Sequence, residues 1–306
     1  MRLVTFGAHV LDVLAHPVDT IPDGQGAALV GQMRMSAAGP AGGTAITMAK
    51  LGAEVFTVGA IGDDDAGTVL TTALNRFGVV TDHLRRVEAA TSMSVLPIRS
   101  NGDRPALHMP GANLAYPLPD APLELFTGAD HVHLGAPELL NPPELAPLLD
   151  DIRATGTTIS ADLLADGDPG VLAWLSPILE HLDYLLPNAA QVYGLTAQPD
   201  LISACRSLID LGVGCVAVTD GGDGAHVVTA DDAEHAQATA VDVVDTSGCG
   251  DAFSAGFLVA RGHDRSLLES ARIGCAVAGI VAGGLGSDHG DFTWGDVAPD
   301  HPTAVV

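Results

Sequence analysis

Lysine is almost missing from this chain. Lys50 is the only one in 306 residues, and Lys and Arg together number 13 against 38 Asp and Glu, a formal charge of −25. A surface of that sign repels nucleic acid and anionic membranes, which are held through basic groups. It also argues against a doubly phosphorylated or strongly anionic substrate. Aromatic residues make up only 4%, which disfavours a pocket walled by stacked rings. The four cysteines, Cys205, Cys215, Cys249 and Cys275, form no Cys-x-x-Cys pair, and the twelve histidines form no His-x-x-x-His or His-Glu-x-x-His pattern. Neither a zinc site nor a redox pair is indicated. No apolar run reaches the roughly 18 residues of a membrane helix. Met1–Gly7 reads directly as a strand, without the apolar core and cleavage site of a secretion signal. Reduced thiols then point to the cytoplasm.

What is present is a chain with 47% hydrophobic residues and an alternation of strand and helix patterns. Strands are expected at 3–7, 55–59, 131–135, 157–161, 183–186, 215–219 and 240–244. Helices are expected near 44–51, 65–77, 142–154, 170–181, 189–195, 200–211, 252–261 and 266–282, and 291–306 reads as a weakly ordered tail. Such alternation implies parallel strands joined by crossover helices. The fold class is therefore α/β, a doubly wound, mostly parallel sheet flanked by helices, with residues 1–306 as one domain. Thr91–Ile98 and Pro105–Met109, joined at Asn101-Gly102-Asp103-Arg104, read as a hairpin. Asp12, Asp162, Asn188 and Thr219 all fall just past strand ends, the edge at which open α/β sheets bind ligands.

The most informative stretch is Asp245-Thr246-Ser247-Gly248-Cys249-Gly250-Asp251-Ala252-Phe253-Ser254-Ala255-Gly256-Phe257. A glycine turn opening a helix offers unpaired N–H groups and a positive dipole end to an anion. A carboxylate in such a place repels phosphate, so Asp251 suits proton transfer. A capped helix start is the plain alternative for so short a motif. The whole run closely resembles the second signature of the phosphofructokinase B (ribokinase-like) family of sugar and nucleoside kinases, with Cys249 in place of the usual Ala. The segment Gly39–Gly43, the helix to Leu51-Gly52-Ala53, the strand 55–59 and Gly62-Asp63-Asp64 resemble the family's first signature. A nicotinamide dehydrogenase would instead need Gly-x-Gly-x-x-Gly after the first strand, and Gly7–Asp12 does not supply it.

The resemblance implies a ribokinase-like fold with a small β lid drawn from parts of 10–37 and 86–113. It implies an ATP-dependent kinase that phosphorylates a hydroxymethyl group of a sugar or, as the alternative, of a nucleoside. Asp251 would be the base, with the Gly248, Cys249 and Gly250 amides as the anion hole. Asp12, Gly39, Gly42, Gly43 and Asn113 would face the acceptor, although Asp12 could instead cap the next turn and Asn113 reads equally as a turn residue. Asn188, Thr219, Gly221, Gly224, Ala278 and Ala282 would face ATP, and Gln191 would reach magnesium through water. Carbonyls around Asp245, Thr246 and Gly286 would suit a potassium ion. Homodimers through the lid also belong to the resemblance. Two positions depart from the pattern: Gly43 stands where the family has a sugar-binding Asn, and Gln191 where it has Glu. These departures motivate a further alternative, a catalytically weak sugar- or nucleotide-binding protein.

Overall fold

A computed structural model describes residues 1–298. In chain order the strands are β1 (Arg2–Gly7), β2 (Val10–His16), β3 (Gln32–Ala38), β4 (Glu54–Gly62), β5 (Val80–Val87), β6 (Met93–Pro97), β7 (Leu107–Met109), β8 (His131–Gly135), β9 (Thr158–Asp162), β10 (Tyr184–Leu185), β11 (Val216–Thr219), β12 (Ala225–Val228) and β13 (Ala233–Ala236). The helices are α1 (Gly42–Lys50), α2 (Asp65–Arg76), α3 (Leu123–Thr127), α4 (Pro142–Arg153), α5 (Pro169–Leu175), α6 (Ala189–Thr196), α7 (Leu201–Ile209), α8 (Cys249–Gly262), α9 (Leu267–Ala282) and α10 (Trp294–Val297).

Nine strands form one sheet in the order β13-β12-β11-β10-β9-β8-β1-β4-β5. Pairing is parallel from β11 to β5, while β12 and β13 add an antiparallel edge. Apolar side chains cover both faces. On one, α1, α2, α8 and α9 pack around Phe253 and Phe257. On the other, α3 to α7 pack around Phe6 and Phe126. The parallel strands are accordingly almost continuously apolar. Strand order reverses at β1, which lies between β4 and β8, and a crevice at the carboxyl ends follows from that reversal.

The second sheet, β3-β2-β6-β7, draws its strands from the two stretches expected for a lid. Because strand side chains alternate, one row crosses its inner face: Ser36, Asp12, Ser94 and His108 are direct partners across the four strands. Met33, Met35, Val95, Leu107 and Met109 belong to the outer face and are 65, 55, 47, 72 and 43% exposed.

Some expectations need correction. Ala240–Val244 is no strand; it is a loop in which Val241 and Val243 wall a cleft while Val244 N bonds to Ala282 O at 2.9 Å. The expected helix at 170–181 is α5 followed by a 3₁₀ turn over Ser176–His181, where Pro177 cannot continue an α ladder. Residues 291–298 are not a loose tail. Phe292, Val297 and Ala298 are buried, and Thr293 and Asp296 form a capping box on α10. Residues 299–306 of that expected tail lie outside the described residues. Strand β5 was not foreseen, because Val80–Val87 is mostly polar and half-buried.

Candidate active site

The turn that opens α8 is held from behind. Asp245 is fully buried and accepts hydrogen bonds from Ser247 N (2.8 Å), Ser247 Oγ (2.7 Å) and Gly286 N (2.9 Å). Gly248 is the N-cap of α8 with φ +72°, and a Cβ there would strike Ser287, so both conformation and space demand glycine. Helix α8 therefore begins at Cys249 rather than at 252, which places Asp251 in its first turn. Among the described residues, the amides of Gly248, Gly250 and Asp251 have no protein acceptor, whereas Cys249 N reaches Thr246 O at 3.3 Å. The free donors are thus Gly248, Gly250 and Asp251: two of the expected trio, with Asp251 in the place of Cys249. Burial pushes the Cys249 thiol up to about 12, so it serves as a small filler.

Asp251 is partly exposed, and desolvation pushes its carboxyl up to about 6 against the opposing pull of Arg104. Its Oδ2 occupies the space that a Cβ on Gly43 would fill. The glycine that sequence reading took as a lost sugar contact is also the room in which the carboxylate sits. Asp12, 7% exposed on the lid, is pushed up to about 7 by burial and by the Asp251 charge, against Ser94 and Arg104. Asp162 was noted at a strand end but not assigned to the site. It lies buried beside Asp251, takes Ser254 Oγ at 3.2 Å, and burial together with the Asp251 charge raises it well above the ordinary range.

On the other side of the turn lies a cleft of about 450 Å³. It gathers Thr219, Gly221, Gly224, Thr246, Cys249, Gly250, Ala278 and Ala282, all expected from sequence, and adds Phe253, Val241 and Val243. Cβ atoms at Gly221, Gly222 and Gly250 would meet only open space, so these backbones face the cleft directly. Asn188 stands at its edge, bridged to Thr219, and caps α6.

Other expected residues are occupied in holding backbone. Gln191 completes the α6 capping box, and its Nε2 donates to Leu163 O and Ala165 O, both at 3.0 Å. Asn113 is buried and clasps the His9 backbone with both ends of its amide, at 3.0 and 3.1 Å. Gly39 and Gly42 form the bend over β1, where Ala41 N donates to Ala8 O at 3.1 Å.

The loop expected to hold a cation meets two of the protein's own. Lys50 Nζ donates to the carbonyls of Asp288, His289 and Gly290 at 2.6, 3.3 and 2.7 Å and sits over the rings of Phe77 and Phe292. Arg34 reaches Leu285 O and the buried Asp288 carboxylate, which Ser36 Oγ also contacts at 2.8 Å. Among the described residues no three acidic, His or Cys side chains converge as a metal cage.

Asp251 thus stands at a helix start with free amides, between a glycine-lined cleft and the polar row of the second sheet. The chain belongs to the pfkB family of carbohydrate kinases, whose profile matches residues 2–292; members of this family are ATP-dependent phosphotransferases. The chain is 30% identical over 274 residues to the ATP-dependent ribose-1-phosphate kinase of Halopiger xanaduensis, spanning 88% of each. It is 26% identical over 283 residues to the aminoimidazole riboside kinase of Salmonella typhimurium, spanning 87% of this chain and 86% of that one. The structure of Arabidopsis thaliana ribokinase complexed with ribose and ATP is similar with a TM-score of 0.80, at 26% identity and 93% of each chain. The protein is a sugar or nucleoside kinase. No helix among the described residues is long and apolar enough to cross a membrane.

Proposed function

We propose that the protein transfers the γ-phosphoryl group of ATP to a hydroxymethyl group of a sugar, with Asp251 as general base. The observation that carries this reading is the position of Asp251, against the free amides of the α8 start and facing the lid's polar row. The acceptor hydroxyl gives its proton to Asp251 as its oxygen bonds to the γ-phosphorus. The bond from that phosphorus to the bridging oxygen breaks, ADP leaves, and Asp251 passes the proton to water. The amides of Gly248, Gly250 and Asp251 stabilise the transferring group, so most of the rate comes from positioning and electrostatics. Thr219 and the glycine turn Gly221–Gly224 would lie along the phosphates, with adenine against Ala278 and Ala282.

Without a protein cage, magnesium would be carried in by the nucleotide, where it neutralises phosphate charge. Gln191 Oε1 keeps one lone pair for a bound water beyond its bond from Asn188 N. The carbonyls of Thr246 and Gly286 accept from Cys249 N and His289 N and each keep a second lone pair for potassium, which a comparison of potassium with choline salts measures. A sugar is favoured over a nucleoside because the inner lid row is polar from Ser36 to His108. The four free cysteines suit a reducing compartment, the cytoplasm.

Asp251→Asn is expected to lower kcat by about 10²- to 10⁴-fold while ATP affinity, read by calorimetry, stays the same. Near-normal turnover in that variant would remove Asp251 from the mechanism. The exposed outer lid face fits a homodimer. Leu107→Lys with Met35→Glu should shift the mass in light scattering to that of a monomer, and an unchanged mass places any dimer elsewhere.

A further inference from the structure

The turn between β11 and β12 lines the nucleotide cleft with bare backbone. Inside it, Asp220 N bonds to Gly224 O at 2.8 Å, Asp223 N to Asp220 O at 3.0 Å and Gly224 N to Gly221 O at 3.2 Å. The amides of Gly221 and Gly222 have no protein acceptor among the described residues. Gly221 takes φ +51°, and a Cβ on either glycine would meet only open space. Successive free amides in such a turn form a concavity for an anion. The side chains of the same turn have the wrong sign, since Asp220 and Asp223 repel phosphate. Attraction is left to the amides, and it depends on how firmly their directions are fixed.

One side chain reaches this turn from outside. His235 stands on the edge strand β13, and its Nε2 is 2.7 Å from the carbonyl oxygen of Asp223. A carbonyl only accepts, so Nε2 carries the proton and donates. Among the described residues, no other side chain from beyond the turn hydrogen-bonds to residues 220–224. His226 lies directly opposite His235 across the β12–β13 pair, with the two rings 4.5 Å apart at 33°. That neighbour limits rotation of the His235 imidazole. Gly224, at φ +97°, leaves no room for a Cβ against Ala236 O, so the turn backs closely onto the strand that carries His235.

We propose that His235 is a positioning residue for the phosphates of ATP. Its bond to Asp223 O holds the turn in the conformation in which the Gly221 and Gly222 amides receive them. The inference rests on the reading of this cleft as the ATP site. A turn already held needs no ordering when the nucleotide arrives, and affinity rises by the cost avoided. For one exposed hydrogen bond that is a factor of about five. The small residues proposed to face adenine, Ala278 and Ala282, lie on α9 and make no use of the bond. His235 therefore acts on the phosphates and not on the base.

Calorimetry at saturating magnesium measures the binding of ATP, ADP and adenosine to the wild type, His235→Ala, His235→Gln and His235→Asn. His235→Ala is expected to lose about fivefold in affinity for ATP and ADP and none for adenosine. His235→Gln puts an amide N–H where Nε2 stands and should recover the loss. His235→Asn, whose amide stops at the position of Nδ1, should not. Recovery by an uncharged side chain assigns the effect to the bond rather than to charge. The comparison of Gln with Asn holds even where alanine loosens the β12–β13 edge. Unchanged ATP affinity in His235→Ala overturns the inference. So does an equal loss for adenosine, which would make His235 a support of the whole cleft, and so does a Gln variant as weak as the Asn variant. These failures leave the kinase reading standing, whereas a wild type that binds none of the three ligands brings down both.

Discussion

The two halves of the site are built to different standards. On the transfer side, three hydrogen bonds to Asp245, the Ser287 wall behind Gly248 and the Lys50 anchor leave the turn a single arrangement. On the acceptor side, the second sheet offers a row of polar groups and a three-residue edge strand. The difference separates reaction from substrate. Phosphoryl transfer tolerates little displacement, so its groups are over-determined.

The sharpest way to break this contrast is at Gly43, where the halves touch. Gly43→Asn would restore the side chain common in the family but drive its Cβ into Asp251. The expected result is a loss in kcat of about 100-fold, since displacement of about 1 Å can cost that much. An increase in kcat with ribose would show that Asp251 readily moves aside and that the missing sugar contact dominates.

A smaller effect is expected at Lys50, which touches neither substrate. Lys50→Met removes charge-assisted bonds to three carbonyls and should lower stability by about 2–3 kcal/mol, read as a denaturant midpoint. It should also reduce kcat about tenfold while the acceptor KM stays within about twofold. Lost stability with intact kcat would show that the loop supports the fold but does not position the turn. Lys50→Arg should recover part of both.

The mildest test uses protons. Asp12 and Asp251 sit near 7 and 6, raised from 3.8 by burial. Their folded-state contribution is therefore full below about pH 4 and is lost as pH rises through 6 to 7. Asp12→Asn removes one such loss, so its Tm should exceed that of the wild type at pH 8 by about 2–4 °C and match it near pH 4. In activity, the acid limb of kcat should fall near pH 6, where Asp251 gains its proton. An acid limb below pH 5 would mean that the carboxyl is not desolvated in the complex.

Local signals made much of this legible. The repeating strand–helix pattern carried the parallel sheet, and the run from Asp245 to Phe257 carried the transfer side, because glycine spacing and a following helix are local properties. The wall residues Ala278 and Ala282 followed from small side chains on one helix. What stayed hidden was pairing at long range. The bond from Arg34 to Asp288 spans 254 positions, and the three carbonyls that meet Lys50 lie about 240 residues away. Nothing local distinguishes Gln191 as a cap that clasps residues 163–165 from a group that faces metal-bound water. Ala240–Val244 misled because valines suit both a strand and a cleft wall, and only the missing neighbour strand decides between them.

The attachment of residues 285–290 also bears on how the enzyme comes into being. A ribosome delivers Asp251 well before the segment that holds its turn. Until that segment emerges, Asp245 lacks the Gly286 amide, Gly248 lacks its wall and Lys50 has no carbonyls to meet. A nascent chain that ends before residue 285 thus carries Asp245, Gly248 and Asp251 but no finished turn. The turn is therefore completed by a stretch that leaves the tunnel after Asp251, and a chain ended before residue 285 cannot finish it.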